Sequence, residues 1–262
     1  MPTTREPAVA GSFYPASETE LDLLVSNLLH QTDIDTNIHH PRAIVAPHAG
    51  YIYSGAVAAS AYSTIKDANF SRILLLGPTH RVPFSGLALS RANFFKTPLG
   101  NVSVDTIAVN KLHSNPEFDF NDAAHMHEHS LETQLPFLQK IANKDFTIIP
   151  ILISDTNYVG AANALAEIID DNDTITVVSS DLSHFHTYND AIELDLRTND
   201  KILALEDLPL CGKEACGCHA INIILEVARQ RSWKVSRLDM KNSGDTFGSK
   251  DSVVGYGAYC FE

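Results

Sequence analysis

The chain has 262 residues, 44% of them hydrophobic and 19% charged, which describes a globular protein with a sizeable core and excludes a disordered or fibrous chain. No apolar stretch approaches the ~20 residues that span a bilayer, so a membrane protein is not expected. The formal net charge of −13 disfavours phosphate backbones, so nucleic acid is not an expected partner either. The first residues lack the long apolar core of a signal peptide, so the expected compartment is the cytoplasm, where the four cysteines would be thiols rather than a disulfide framework.

In chain order, Ser17-Glu18-Thr19-Glu20 has the form of a capping box, ahead of Leu21, Leu24, Val25, Leu28 and Leu29 at helical spacing, and predicts a helix over 18–30. A short apolar strand over 43–46 runs into Pro47-His48-Ala49-Gly50, and the small residues of 55–62 read as a helix that packs closely on a sheet. Residues 72–76 form a second uninterrupted apolar run, cut off by Gly77-Pro78-Thr79-His80. Such runs without alternation suit strands covered on both faces. Further strands are expected at 86–90, 101–104 and 146–153. A helix is expected around Leu131, Leu135, Leu138 and Ile141, where Pro136 is awkward unless the helix starts near it. Helices are predicted over 158–169, 189–206 and 217–230, a strand over 174–178, and an antiparallel pair from 233–240 and 252–261. Strands alternating with helices, without a repeat or linker, predict one α/β domain over 1–262 with a mixed, largely parallel central sheet flanked by helices.

Three of the predicted strands, 43–46, 73–76 and 174–178, each lead into a loop bearing a histidine: His48, His80 and His184. Sites in open α/β sheets form outside the carboxyl ends of the strands, so these loops are expected to share one crevice. Asp181, in the His184 loop, adds a carboxylate that could ligate, orient or assist a base. Pro47 and Pro78 stiffen the turns, while Gly50 and Gly77 permit tight backbone paths. In the cluster His125-Met126-His127-Glu128-His129-Ser130-Leu131-Glu132, His125 and His127 are expected to be peripheral, and His129 and Glu132 to face the crevice as ligand contacts together with Tyr53. Cys216, opening the last predicted helix in Cys-Gly-Cys-His, stands where a helix dipole favours thiolate, the form that binds metal. A small buried cysteine remains the alternative, and a structural zinc ribbon is excluded by the spacing. Cys218 is either a redox partner for Cys216 or a buried residue, and Cys211 and Cys260 read as structural. Phosphate-binding Gly-rich motifs and a Gly-x-Ser-x-Gly elbow are absent.

The blocks REPAVAGSFYP, VAPHAGYIYSG, LLLGPTHR, EHSLETQLPFL, FTIIPILI, VVSSDLSHF and CGCHAINIIL together resemble, in this order, the Memo family, whose bacterial and archaeal members are called AmmeMemoRadiSam system protein B. The resemblance implies the fold of class III extradiol dioxygenases, non-haem iron enzymes. It implies His48, His80 and Cys216 as metal ligands, with Cys216 where a dioxygenase supplies a carboxylate, and His184 as acid–base residue with Asp181 beside it. The expected cofactor is a divalent metal, foremost Fe2+, with Cu or Zn as alternatives. The expected ligand is a small molecule or a peptide, and the resemblance implies a functional link to a radical-SAM enzyme and an AMMECR-type protein. Three functions are therefore expected in turn: redox chemistry on a small molecule, a non-catalytic binding or signalling protein that takes a peptide in the same pocket, and a zinc-dependent hydrolase.

Overall fold

The computed structural model describes residues 3–32, 38–142 and 145–262. The strands are β1 (Thr4–Arg5), β2 (Ala43–Ala46), β3 (Arg72–Pro78), β4 (Leu87–Leu89), β5 (Phe94–Thr97), β6 (Gly100–Val104), β7 (Phe118–Phe120), β8 (Thr147–Ile153), β9 (Thr174–Ser179), β10 (His184–His186), β11 (Val235–Asn242) and β12 (Val253–Phe261). The helices are α1 (Glu18–His30), α2 (Tyr51–Ser63), α3 (Thr106–His113), α4 (Asp122–Met126), α5 (Leu135–Ile141), α6 (Tyr158–Ile169), α7 (Tyr188–Leu203), α8 (Cys218–Arg231) and α9 (Ser243–Thr246).

A single sheet orders its strands β1-β5-β6-β8-β3-β9-β2-β12-β10, with β11 pairing on β12 and β4 on β8. From β6 to β2 neighbouring strands are parallel, and β12 closes antiparallel on β2. Of these, β2, β3, β8 and β9 are buried along almost their whole length, as their continuous apolar runs require. Pro150 is accommodated because one flank of β8 pairs with β6 only at 147–148 and with β4 only at 151–153, leaving no ladder partner beside it there. The crossover from β2 through α2 to β3 runs along the sheet in the direction opposite to that from β8 through α6 to β9. Right-handed connections therefore put α2 and α6 on opposite faces. A domain built this way is α/β, with helices flanking a mixed, mostly parallel sheet.

The predicted helices at 18–30 and 158–169 and the strand at 43–46 have the bounds expected of them. Ser17 Oγ accepts the Glu20 amide hydrogen bond and so caps α1. Around Pro136 the chain makes a 3-10 turn over Glu132–Gln134, and α5 starts with the proline in its first turn, where a missing N–H costs nothing. Helix α2 begins at Tyr51, earlier than the small-residue run suggests, and the short elements β1, β5, α3, β7, α4, β10 and α9 carry too little periodicity to be read in the sequence. Among the described residues no helix is long and apolar enough to cross a membrane.

Candidate metal centre

Because β3, β9 and β2 are parallel neighbours, their carboxyl ends lie on one edge of the sheet. His48 follows β2 and His80 follows β3, and their rings meet edge-on with centroids 5.2 Å apart. The third ring in the group is His129, 5.3 Å from His48 and stacked on His80 at 4.7 Å. One ligand atom from each of the three lies within 4.8 Å of the others. His129 arrives from the segment before α5, far from any strand end. That segment can approach because Gly77 has no side chain: a Cβ there would stand 2.8 Å from Leu131 Cδ2 and 3.1 Å from Ser130 Oγ. Gly77 thus serves by lacking a Cβ, and neither it nor Gly50 adopts the left-handed backbone region.

Hydrogen bonding fixes which nitrogen each ring offers. The Tyr62 hydroxyl donates to Gln134 Oε1 (2.7 Å), so the Gln134 amide donates to Pro47 O (3.0 Å) and Ser179 Oγ (2.8 Å). Ser179 Oγ donates to the Ser130 carbonyl (2.6 Å), so its 2.8 Å contact with His48 Nδ1 is a donation from the ring. His48 therefore carries its proton on Nδ1 and a lone pair on Nε2. Its ring is only 1% exposed, and burial, then the neighbouring His80 and His129, holds its pKa well below the ordinary imidazole value. His80 donates Nδ1–H to Glu128 Oε1 (2.9 Å), which leaves its Nε2 free too.

Glu128 is the buried carboxylate beneath the group. It also accepts the backbone N–H groups of His80, His129 (2.9 Å) and Ser130 (3.0 Å). Burial alone would raise this carboxyl, but the close His129 ring, the His80 ring bond and the backbone N–H of His80 override it and hold it far below the carboxylate range. A carboxylate that orients ligating imidazoles is the usual partner of a metal site. His129 Nδ1 lies 3.2 Å from Glu128 Oε1, off the line of a hydrogen bond, and is buried with no other partner. Such an atom is one that a metal ion can satisfy. The residues present therefore fit a divalent cation.

Cys216 sits against this group rather than within the trio, its Sγ 3.3 Å from His48 Nε2 and 3.3 Å from the Asp181 N–H that donates to it. Helix α8 is brought close by Gly217, where a Cβ would fall 2.7 Å from both Ser179 O and Ser180 Cβ. Burial, reinforced by the Asp181 charge, pushes the Cys216 thiol well up, so here the sulfur carries its proton and donates to His48 Nε2. The dipole argument for a thiolate is outweighed by desolvation. Cys218 is buried, its thiol pushed up to about 11 by burial and without a thiol partner among the described residues; Cys260 is buried too, whereas Cys211 is exposed.

Asp181 and His184 line a cavity of about 520 Å³ with Tyr53, His129 and Phe13. The expected pairing of Asp181 with His184 is replaced by another arrangement. Asp181 Oδ1 accepts the N–H groups of His48 (2.8 Å) and Ala49 (3.3 Å), and so ties down the His48 loop. His184 is oriented instead by donating Nδ1–H to the Leu182 carbonyl (2.9 Å), which leaves Nε2 as its lone-pair nitrogen. Burial raises the Asp181 carboxyl, against the N–H groups of His48 and Ala49 that favour its charged form.

Glu132 corrects the expectation of a crevice-facing ligand contact. Fully buried, it pairs with Arg5 and accepts Ala8 N–H (2.7 Å), Val9 N–H (3.0 Å) and the Tyr14 hydroxyl (2.5 Å). Its role is to anchor the N-terminal segment, which places Phe13 edge-on to His129 at 4.8 Å. His127 is exposed, as a peripheral residue should be, while His125 is core, its Nε2 donating to Ala88 O (2.9 Å). Sequence reasoning missed Glu128 as the shared carboxylate; its place between His127 and His129 was the only hint.

The family model described as "Memo-like protein" matches residues 5–260. Among curated relatives, "MEMO1 family protein TV1383" of Thermoplasma volcanium is 33% identical, over 96% of each chain. The "MEMO1 family protein" of Aquifex aeolicus is 36% identical, over 96% of this chain and 97% of its own. That of Methanosarcina mazei is 35% identical, over 98% and 99%. A match that runs from β1 to the last residues of β12, with relatives of the same length, places this chain in the Memo family.

Proposed function

We propose that this protein is a non-haem metal protein, with iron as its working ion, that carries out redox chemistry on a small molecule at the ends of β2, β3 and β9. The observation that carries this reading is the three-imidazole group, with the nitrogens of His48 and His80 set by Ser179 and Glu128. His48, His80 and His129 would hold the ion, and Cys216 would join as thiolate, giving up the proton it now shares with His48 Nε2. Imidazoles beside a soft sulfur suit a transition metal rather than Mg2+ or Ca2+. Bound iron would supply a Lewis acid and a one-electron couple.

The chain's own residues supply the rest. Asp181 clamps the loop that carries His48, so the ring cannot drift. His184 takes or returns a substrate proton at Nε2, its ring held by the Leu182 carbonyl. Ser12 and Phe13, on the Glu132-anchored N-terminal segment, form one wall of the cavity beside His129. A volume of about 520 Å³ suits a small ligand.

A second reading is a zinc hydrolase, favoured by the trio itself, because three histidines are a recurrent catalytic zinc set. Metal analysis after anaerobic purification separates the two: stoichiometric iron is expected in the wild type and its loss in the His48→Ala/His80→Ala double variant. Full iron loading of that variant would sink the assignment. Turnover unaffected by removal of oxygen, with zinc bound, would favour hydrolysis.

A further inference from the structure

Among the described residues, three non-glycine residues adopt positive φ: Phe185 (63°), Leu205 (50°) and Ser232 (55°). Leu205 and Ser232 follow the ends of α7 and α8, where a left-handed residue commonly closes a helix. Phe185 has no such excuse. It lies inside β10, where His184 pairs with Val254 and His186 with Val253, so that Phe185 is the extra residue of a β-bulge. The left-handed residue of such a bulge is ordinarily glycine, because a side chain there is strained. A bulky residue at this position is an outlier, and strain of this kind clusters at functional sites.

The strain brings no packing in return, since Phe185 is 79% exposed. Its ring stands 5.6 Å from that of His184, which lines the cavity. Another phenylalanine is placed in the same way. Phe247 is 68% exposed and meets Tyr53, also a lining residue, edge-on at 6.1 Å. The lining sets Ser243, Asp181, His129 and His184 among apolar surface from Phe13, Tyr53 and Val254, and two solvent-facing aromatic rings stand beside it.

We propose that Phe185 and Phe247 form an aromatic clamp at the cavity mouth, so that the ligand is an amphiphilic small molecule whose polar head enters among the histidines while its apolar part is held between the two rings. The proposal deepens the metal-dependent reading above and rests on it for the head group. Phe185 is kept in a glycine position because its ring is needed by the bound state. The two phenylalanines are then specificity-determining residues: they select the tail, and the histidines select the head.

Two hydroxamic acids test this on Zn2+-loaded protein, read as dissociation constants by calorimetry. Both chelate a metal, and only one has an apolar ring. Benzohydroxamate should bind roughly tenfold more tightly than acetohydroxamate, from ring contacts with the clamp. Phe185→Gly and Phe247→Ala should each reduce that ratio several-fold. Phe185→Gly should also raise the urea midpoint, since relief of the strained φ stabilises a chain that has lost a ligand contact. A ratio that survives in both variants, or a Phe185→Gly protein that is less stable, overturns the clamp. Failure of acetohydroxamate to bind overturns the metal reading instead. In that case the fluorescence of 1-anilinonaphthalene-8-sulfonate with metal-free protein decides the clamp: enhancement lost in both variants supports it, and enhancement unchanged removes it.

Discussion

Glu128 has the widest reach of any single residue in the site. One buried carboxylate takes the His80 ring and the backbone N–H groups of His80, His129 and Ser130, and so ties together the two segments that carry two of the three imidazoles. Glu128→Gln keeps the shape and removes the charge. Metal affinity should fall about 10–100-fold, the usual effect of losing an outer hydrogen-bond partner. Competition with a chromophoric chelator measures it, and unchanged affinity would mean that the imidazoles hold their places unaided. Cys216 makes a separate point. Its protonated thiol must lose a proton to ligate, so metal binding to the wild type should release about one more proton than binding to Cys216→Ser. Calorimetry in buffers of different ionisation enthalpy counts that proton, and equal release would leave the thiol outside the metal's reach.

At the scale of elements, the site depends on close approaches that only small residues allow. Helix α8 starts against the end of β9 because Gly217 presents no Cβ to Ser179 O and donates its N–H to Ser180 Oγ (2.9 Å). Backbone oxygen cannot step aside as a side-chain tip can. Gly217→Ala should therefore push α8 outward and cost about 1–3 kcal/mol, the range for overpacking. It should also expose the Cys216 thiol, which iodoacetamide labelling would register as faster alkylation in the folded protein. Urea unfolding gives the energy, and a loss below ~0.5 kcal/mol, the scale of an ordinary surface substitution, would show that the helix start is slack. Gly77 also leaves room between β3 and the His129 segment, but there a Cβ would meet the Leu131 and Ser130 side chains rather than backbone.

For the whole molecule, His125 links pH to stability from a place outside the metal group. Burial lowers its pKa to about 4, against the favourable bond to Ala88 O. The unfolded chain takes up this proton as pH falls through ~6.5, while the folded protein resists until about 4, so between those values the unfolded state binds more protons. Stability is therefore full above the upper value and declines through the window, by about 3 kcal/mol in all at 1.36 kcal/mol per unit. In His125→Phe that component of the slope should vanish, as chemical unfolding at a series of pH values can establish. A variant with the same slope as the wild type would assign acid sensitivity elsewhere.

The sequence by itself determined the parallel strands, the long helices and the delivery of His48 and His80 to one edge. These are local consequences: apolar runs without alternation, caps, and loops that follow strands. Motif resemblance extended this to the family. His129 was expected to face the crevice, but the sheet order and its union with His48 and His80 as a third imidazole were decided by tertiary structure, because no spacing shows that Gly77 admits a segment fifty residues away. The same holds for Glu132, whose place beside His129 suggested a ligand contact, whereas Arg5 and Tyr14 turn it inward to hold the N-terminal segment. Local pattern sets which residues reach a strand end; the partner that completes a buried charge or fills the space over a glycine comes from elsewhere in the chain, and only the packed fold says from where.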